Sequence, residues 1–310
     1  MVHSIDKTPE EIARRDFMML GAGAALLAAA TDASGTSAAQ TDPDAAPPPT
    51  GEPGKIDLER RGPVLLIGIN RPEALNRADT PILVGIGKAY YQLEHDDELR
   101  VAVLHGVGPN FCRALDVPAI TAPAANFIAS IKASDVIVPM GLWPPFRTKP
   151  VVVAVQGLTW GIGHELFLYA DIRIAASDTR FRHPEVSFGV FPGGGATARF
   201  TREAGWANAM RYMLTGEEWG ADEAYRMGLV HEVTPPGKQL DRAIELANKI
   251  AAAAPLGVRA TLASARQAVS GEEPALAAAF EEFRGIVRSE DVKEGQLALR
   301  EGRKPEFHGR

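Results

Sequence analysis

The sequence predicts an α/β fold, and two patterns carry that prediction. From Lys55 onward, short runs rich in β-branched residues alternate with longer stretches of helical periodicity, which is the arrangement expected of an α/β domain. Beyond Gly193 the chain turns largely helical, which adds a helical region toward the C-terminus. With 310 residues, 45% of them hydrophobic, the chain is long enough for one large core with appended segments.

The N-terminal 54 residues are expected to lie outside that core. Arg14 and Arg15 precede an apolar run over residues 17–30 and then small residues, so residues 1–39 are predicted to be a twin-arginine signal peptide. The run is short and rich in Ala and Gly, which favours a cleavable signal over a membrane anchor. Residues 40–54 are rich in Pro and Gly and predict an extended linker. Export to the periplasm follows if the signal is used, and a cytoplasmic location if it is not.

The predicted elements of the core, residues 55–254, follow in chain order. Strands are expected at residues 56–59, 64–69, 101–105, 151–155 and 172–175. A helix is expected over residues 79–94, with Asp79 as its N-cap and apolar residues on one face. Later helices are expected at residues 199–215, 221–227, 239–254 and 274–287, and residues 255–310 are expected to form a helical C-terminal region.

Composition excludes several classes of function. The net charge is -6, which does not suit a nucleic acid partner. Cys112 is the only cysteine, so the chain contains neither an internal disulfide nor a cysteine-rich metal site. Phosphate-binding glycine motifs are also absent from the sequence.

A glycine-bearing turn at residues 157–166 (GLTWGIGHEL) is the first feature that suggests chemistry. It joins an apolar strand to a helix, and the unpaired N–H groups at a helix N-terminus suit a developing oxyanion. Glu165 lies in the first helical turn beside it. Its alternative role is to complement the helix dipole.

A second Gly- and Pro-rich loop follows Glu185. This loop, residues 188–195, would bring Glu185 into the same cleft as Glu165, where two carboxylates can divide acid and base roles if their surroundings separate their pKa values. A solvated surface carboxylate is the alternative. His164 and His183 flank the two glutamates and are expected to be supporting or solvated residues; a role as acid or base is the alternative, since histidine titrates near neutrality. No third ligand lies at metal-binding spacing, so the pattern does not resemble a zinc site.

From residue 55 to residue 307 the chain resembles the crotonase superfamily, also called the enoyl-CoA hydratase/isomerase family. The resemblance rests on an ordered series of segments: residues 69–76 (INRPEALN), Phe111 with Asp116, residues 157–166, Pro184-Glu185, Pro192-Gly193-Gly194, residues 214–216 (LTG), 228–230 (GLV), 289–295 (SEDVKEG) and 303–307 (RKPEF). It implies a spiral of ββα units followed by a C-terminal helical region that packs trimers, often paired as hexamers.

The resemblance also implies an active site for acyl-CoA substrates. The backbone N–H groups of Leu115 and Ile162 would hold the thioester oxygen, Glu165 and Glu185 would act as the acid/base pair, and Gly193 would help to hold water. CoA would be part of the substrate, and no separate cofactor or metal is expected. Further residues expected to bind substrate or CoA are Asn76, Arg113, Ala114, Asp116, Gly161 and Lys304. Both glutamates together favour hydration of a 2-enoyl thioester.

Two departures keep other functions open. The segment around Arg113, Ala114 and Leu115 lacks the glycine usual in the family, which is reminiscent of carbon–carbon bond hydrolases of the superfamily that act without CoA. CoA is a cytoplasmic metabolite, so an exported enzyme either acts on another substrate or binds a thioester before export in the folded state; otherwise the protein is not exported. An enoyl-CoA isomerase and a non-catalytic oligomeric binding protein are the remaining alternatives.

Overall fold

A computed structural model describes residues 52–121, 124–253, 255–268, 287–303 and 305. The predicted signal peptide, most of the predicted linker, most of the helix predicted at residues 274–287 and Lys304 lie outside these residues. The described chain already packs before Lys55. The backbone N–H of Gly54 donates to Oδ2 of Asp79 at 2.7 Å, and the carbonyl of Glu52 accepts a hydrogen bond from Nε of Arg71.

The strands form two sheets. The strands of the described residues are β1 (Lys55–Arg61), β2 (Val64–Asn70), β3 (Val101–Gly106), β4 (Cys112–Arg113), β5 (Val151–Val155), β6 (Leu158–Trp160), β7 (Ile172–Ala176), β8 (Arg180–Arg182), β9 (Glu218–Gly220) and β10 (Glu232–Thr234). The larger sheet has the order β1-β2-β3-β5-β7-β10, and the smaller one has the order β4-β6-β8-β9.

The larger sheet confirms the five predicted strands. β1 pairs antiparallel with β2, and the remaining neighbours are parallel. β3 and β5 are apolar almost throughout because parallel strands at the centre of a sheet are covered on both faces. The prediction of an α/β fold is therefore confirmed.

Helices pack on both faces of the larger sheet. The helices of the described residues are α1 (Thr80–His95), α2 (Val117–Thr121), α3 (Ala124–Ile131), α4 (Ile162–Tyr169), α5 (Ala196–Ala204), α6 (Trp206–Thr215), α7 (Ala221–Arg226), α8 (Gln239–Ala251), α9 (Pro255–Ala268) and α10 (Glu290–Glu301). Asp79 caps α1 as predicted, since its Oδ1 accepts from the N–H of Ile82 at 3.0 Å. Alternate residues of β2 and β3 pack either against α1 or against Ala243 and Ala247 of α8.

One predicted helix is wrong as a single element. The helix expected over residues 199–215 is two helices, α5 and α6, which break at Gly205. Gly205 has φ of 78°, a left-handed conformation that glycine adopts without steric cost and that interrupts helical geometry. None of the helices within the described ranges is long and apolar enough to cross a membrane.

The smaller sheet was not predicted. Its strands are only two or three residues long, too short for an alternating pattern to be visible in the sequence. β4, β6 and β8 run parallel, and β9 pairs antiparallel with β8. The carboxyl ends of the three parallel strands therefore lie side by side at one edge.

Candidate active site

The carboxyl ends of β4, β6 and β8 bring the three predicted parts of the site together. β4 leads into Ala114 and Leu115, β6 leads into Gly161 and α4, and β8 leads into the loop that carries Glu185. The first two segments touch, since a Cβ built on Gly161 would lie 3.2 Å from Cβ of Ala114. It would also lie 3.0 Å from Oε1 of Glu185. The small sheet is thus what assembles the site.

Two backbone N–H groups at this edge have no acceptor among the described residues. Ile162 is the first residue of α4, so no preceding helical turn supplies a carbonyl to accept its N–H. Leu115 forms an isolated parallel bridge with Ala78, in which the bonds are made by the N–H groups of Ala78 and Asp116 and not by that of Leu115. Such pairs of preorganised donors suit a developing oxyanion.

Ala114 keeps the turn that a glycine would make. Its φ is 62°, a left-handed conformation that costs roughly 1–2 kcal/mol for an L-residue. A backbone hydrogen bond from its N–H to the carbonyl of Trp160, at 3.0 Å, holds it in place. The guanidinium of Arg113 lies 4.8 Å from the centre of the Trp160 ring. The unusual sequence of this segment is therefore accommodated without loss of the turn that precedes Leu115.

Glu165 is buried and held by the loop that follows Glu185. Its side chain is almost completely excluded from solvent, and Oε1 accepts hydrogen bonds from the N–H groups of Gly194 at 2.6 Å and Ala196 at 3.3 Å. Gly193, expected to help hold water, is the residue next to this contact. The Gly- and Pro-rich loop that follows Glu185 therefore holds the Glu165 side chain through main-chain N–H donors.

The charge state of Glu165 is unusual because of its surroundings. Burial, together with the nearby charge of Glu185, raises the pKa of Glu165 to about 7. Glu185 is less enclosed, with 18% of its side chain exposed. The two carboxylates are close enough to influence each other, and they differ in environment as acid/base partners must.

The raised pKa predicts how stability depends on pH. Between pH 4.5 and about 7 the folded protein keeps a proton on Glu165 that the unfolded chain has lost, so stability falls as pH rises through this window. Glu165→Gln stays neutral and is expected to exceed the parent in free energy of unfolding at pH 8 by roughly 1 to 3 kcal/mol, and to match it at pH 4. Urea denaturation at both pH values measures this. Equal gains at pH 4 and pH 8, or no gain, would contradict it.

The close approach of Gly194 to Glu165 gives a second prediction. A Cβ at position 194 would collide with the carboxylate of Glu165, so Gly194→Ala must displace that side chain. We expect kcat to fall by about tenfold to a hundredfold while the fold is retained, since small displacements of a reacting group are costly. Gly220→Ala is the matched control, because a Cβ there meets nothing within 4 Å. Equal kcat in Gly194→Ala and Gly220→Ala would contradict the assignment of Glu165 as a reacting group.

Two residues expected to bind substrate have other partners. Asn76 is fully buried, and its side chain bonds the N–H of Arg71 and the carbonyls of Val107 and Asn110. Asp116 is also fully buried, in ion pairs with Arg71 and Arg77. Their polar atoms are used inside the protein, so the expectation that their side chains bind substrate is not supported by this geometry.

The other expected residues lie as follows. Gly161 has φ of 51° and forms the N-cap of α4 between Ala114 and Glu185, which keeps it at the centre of the site. Lys304 lies outside the described residues. Within the described part of the chain, no group of three or more His, Cys, Asp or Glu side chains is arranged to hold a metal ion.

Two available main-chain donors next to a pair of interacting carboxylates are typical of enzymes that stabilise an oxyanion while protons are transferred beside it. The pattern of the enoyl-CoA hydratase/isomerase family matches residues 59–310, and the chain belongs to this family of enzymes. The fold is the crotonase spiral expected from the resemblance.

Individual relatives agree with that assignment. An enoyl-CoA hydratase of Mycobacterium tuberculosis is 32% identical over 82% of this chain and 96% of the relative. A short-chain-enoyl-CoA hydratase of Clostridium acetobutylicum is 34% identical over 82% of this chain and 98% of the relative. The crystal structure of a carnitinyl-CoA hydratase from Mycobacterium avium has a TM-score of 0.74 and 35% identity, and covers 82% of this chain and 98% of that one.

Proposed function

We propose that this protein is a hydro-lyase that adds water across the double bond of a 2-enoyl-CoA thioester. The observation that carries the proposal is a pair of interacting carboxylates, Glu165 and Glu185. Glu185 lies beside Gly161, next to the N–H groups of Leu115 and Ile162. The relatives named as hydratases and dehydratases of CoA thioesters support it.

The geometry suggests how the reaction proceeds. The thioester oxygen accepts hydrogen bonds from the N–H groups of Leu115 and Ile162, so that negative charge moving onto it is stabilised as an enolate. One glutamate takes a proton from water as the water oxygen bonds to C3, and the other gives a proton to C2. Glu165, whose pKa is raised to about 7, can carry near neutral pH the proton that one of these steps needs.

A direct assay tests the proposal. Purified protein mixed with a short 2-enoyl-CoA should remove the absorbance of the conjugated thioester and yield the 3-hydroxyacyl product. If no chain length of enoyl-CoA is hydrated, the proposed function fails. Calorimetric titration with CoA separates it from the carbon–carbon bond hydrolase, because saturable CoA binding contradicts a CoA-independent enzyme.

Export is a separate proposal, supported by Arg14, Arg15 and the apolar run that follows them. Sequencing the mature N-terminus from the periplasmic fraction should give a start near Gln40. A full-length protein confined to the cytoplasm would contradict export.

We also propose a trimer or hexamer. Trp206 and Leu214 on α6 are 71% and 67% exposed in a single chain, and exposed large apolar side chains of this kind suit a contact between subunits. Sedimentation equilibrium should give three or six copies, and a monomer at micromolar concentration would contradict the proposal.

A further inference from the structure

Two buried histidines form a hydrogen-bonded series behind Glu185. His164 lies on α4 and His183 follows β8, and both are fully buried. Nδ1 of His164 lies 2.7 Å from Nε2 of His183. Nδ1 of His183 lies 3.3 Å from Oε2 and 3.4 Å from Oε1 of Glu185. The series runs from the protein core to one of the two carboxylates of the site.

The partners decide where the protons lie. Nδ1 of His183 faces a carboxylate, so it must carry a hydrogen, since a lone pair there would be repelled by the oxygens. The other nitrogen of His183 is engaged by His164. Both ring nitrogens of His183 therefore have fixed partners, and its orientation relative to Glu185 is set.

His164 is enclosed by aromatic rings. Its ring centre lies between 5.2 and 5.4 Å from the rings of Phe167, Phe181, Phe200 and Trp219. Its Nε2 is buried and has no hydrogen-bond partner among the described residues. A second proton on His164 would place an unpaired charge in this apolar environment, which is strongly unfavourable. His164 therefore stays neutral.

The surrounding charges act differently on the two rings. Burial, followed by the charges of His183 and of Arg173 on β7, lowers the pKa of His164 well below its ordinary value. Burial also acts to lower the pKa of His183, but the carboxylates of Glu185 and Glu165 outweigh it, and the net shift is upward. Any proton gained by the pair thus resides on His183, between the two glutamates.

We propose that His183 is a positioning residue for Glu185 and that His164 fixes the ring of His183 in turn. The inference rests on the proposed hydratase function and deepens it. The N–H group of His183 donates to the carboxylate of Glu185 and fixes its orientation beside Gly161. The histidine series thereby sets where this carboxylate meets the substrate.

Three variants test this role. His183→Leu removes the donor to Glu185, and kcat should fall by about a hundredfold while KM changes by less than about threefold, because substrate binding is untouched. His183→Asn places an amide N–H group near the position of Nδ1 and should restore at least about tenfold of the lost kcat.

His164→Phe keeps the aromatic packing and removes only the bond to His183. It should lower kcat as His183→Leu does, by a smaller factor and again with little change in KM. His95→Leu is the control, because His95 is exposed at the end of α1 and contacts the carbonyl of Tyr91. If the parent is active and both His183→Leu and His164→Phe keep its kcat, or if His183→Asn restores none of the kcat lost in His183→Leu, the positioning role is overturned.

Nitrogen-15 NMR of labelled histidines gives a readout that does not depend on activity. We expect Nδ1 of His183 to carry a proton at every pH from 5 to 9 and His164 never to carry two. A parent that hydrates no enoyl-CoA overturns the proposed function, and the spectra then decide the histidine series alone. An unprotonated Nδ1 on His183, or an imidazolium at His164, overturns the series.

Discussion

Replacing Glu165 or Glu185 by glutamine is expected to lower kcat for hydration of a 2-enoyl-CoA by about a hundredfold or more, because each change removes a positioned acid or base. Glutamine keeps the size of the side chain, and its amide oxygen can still accept from the N–H groups of Gly194 and Ala196 that hold position 165. The loss should therefore appear in kcat, with little change in the fold.

The two variants are compared by following the thioester absorbance under saturating substrate. Glu98→Gln is the control, because the side chain of Glu98 is 84% exposed. The double variant should lose little more than the worse single one, since residues that act as a unit are not additive. Hydration by both single variants at the rate of the parent would refute the acid/base roles.

The larger sheet and the closeness of the two glutamates could be predicted from the sequence for physical reasons. Buried parallel strands such as β5 must be apolar along their whole length, so they stand out. The turn before Glu165 needs glycine where the backbone approaches closely, as at Gly163, whose Cβ would collide with the carbonyl of Cys112. Features that restrict residue type at several neighbouring positions can be read before the structure is known.

The smaller sheet and the histidine series could not be predicted from the sequence in this way. A strand of two residues such as β4 has no periodicity, and its position depends on the partner strand β6, which is distant in sequence. His164 and His183 are 19 positions apart, and no spacing rule links them. Their positions beside the glutamates predicted supporting or solvated residues, and the structure excludes solvation because both are buried.

Asp116 shows how a residue expected in the site can instead support it. Its carboxylate lies 2.6 Å from Nη1 of Arg71 and 3.4 Å from Nη2 of Arg77, and all three side chains are at most 6% exposed. Asp116→Ala would leave both guanidinium groups buried without this partner. We expect the free energy of unfolding to fall by about 3 to 5 kcal/mol, the usual cost of breaking a buried ion pair from one side.

Urea denaturation of Asp116→Ala and Asp135→Ala separates burial from charge. Asp135 pairs with Lys88 at 2.9 Å, but both side chains are about half exposed, so water replaces the lost partner and the effect should be much smaller. Equal losses of unfolding free energy in the two variants would contradict the larger contribution of the buried ion pair.

The N–H of Asp116 also bonds the carbonyl of Ala78 beside Leu115, a main-chain contact that alanine preserves. At temperatures where Asp116→Ala remains folded, its kcat should therefore fall far less than that of the glutamate variants, whereas a side chain that bound substrate would lower activity even in the folded protein.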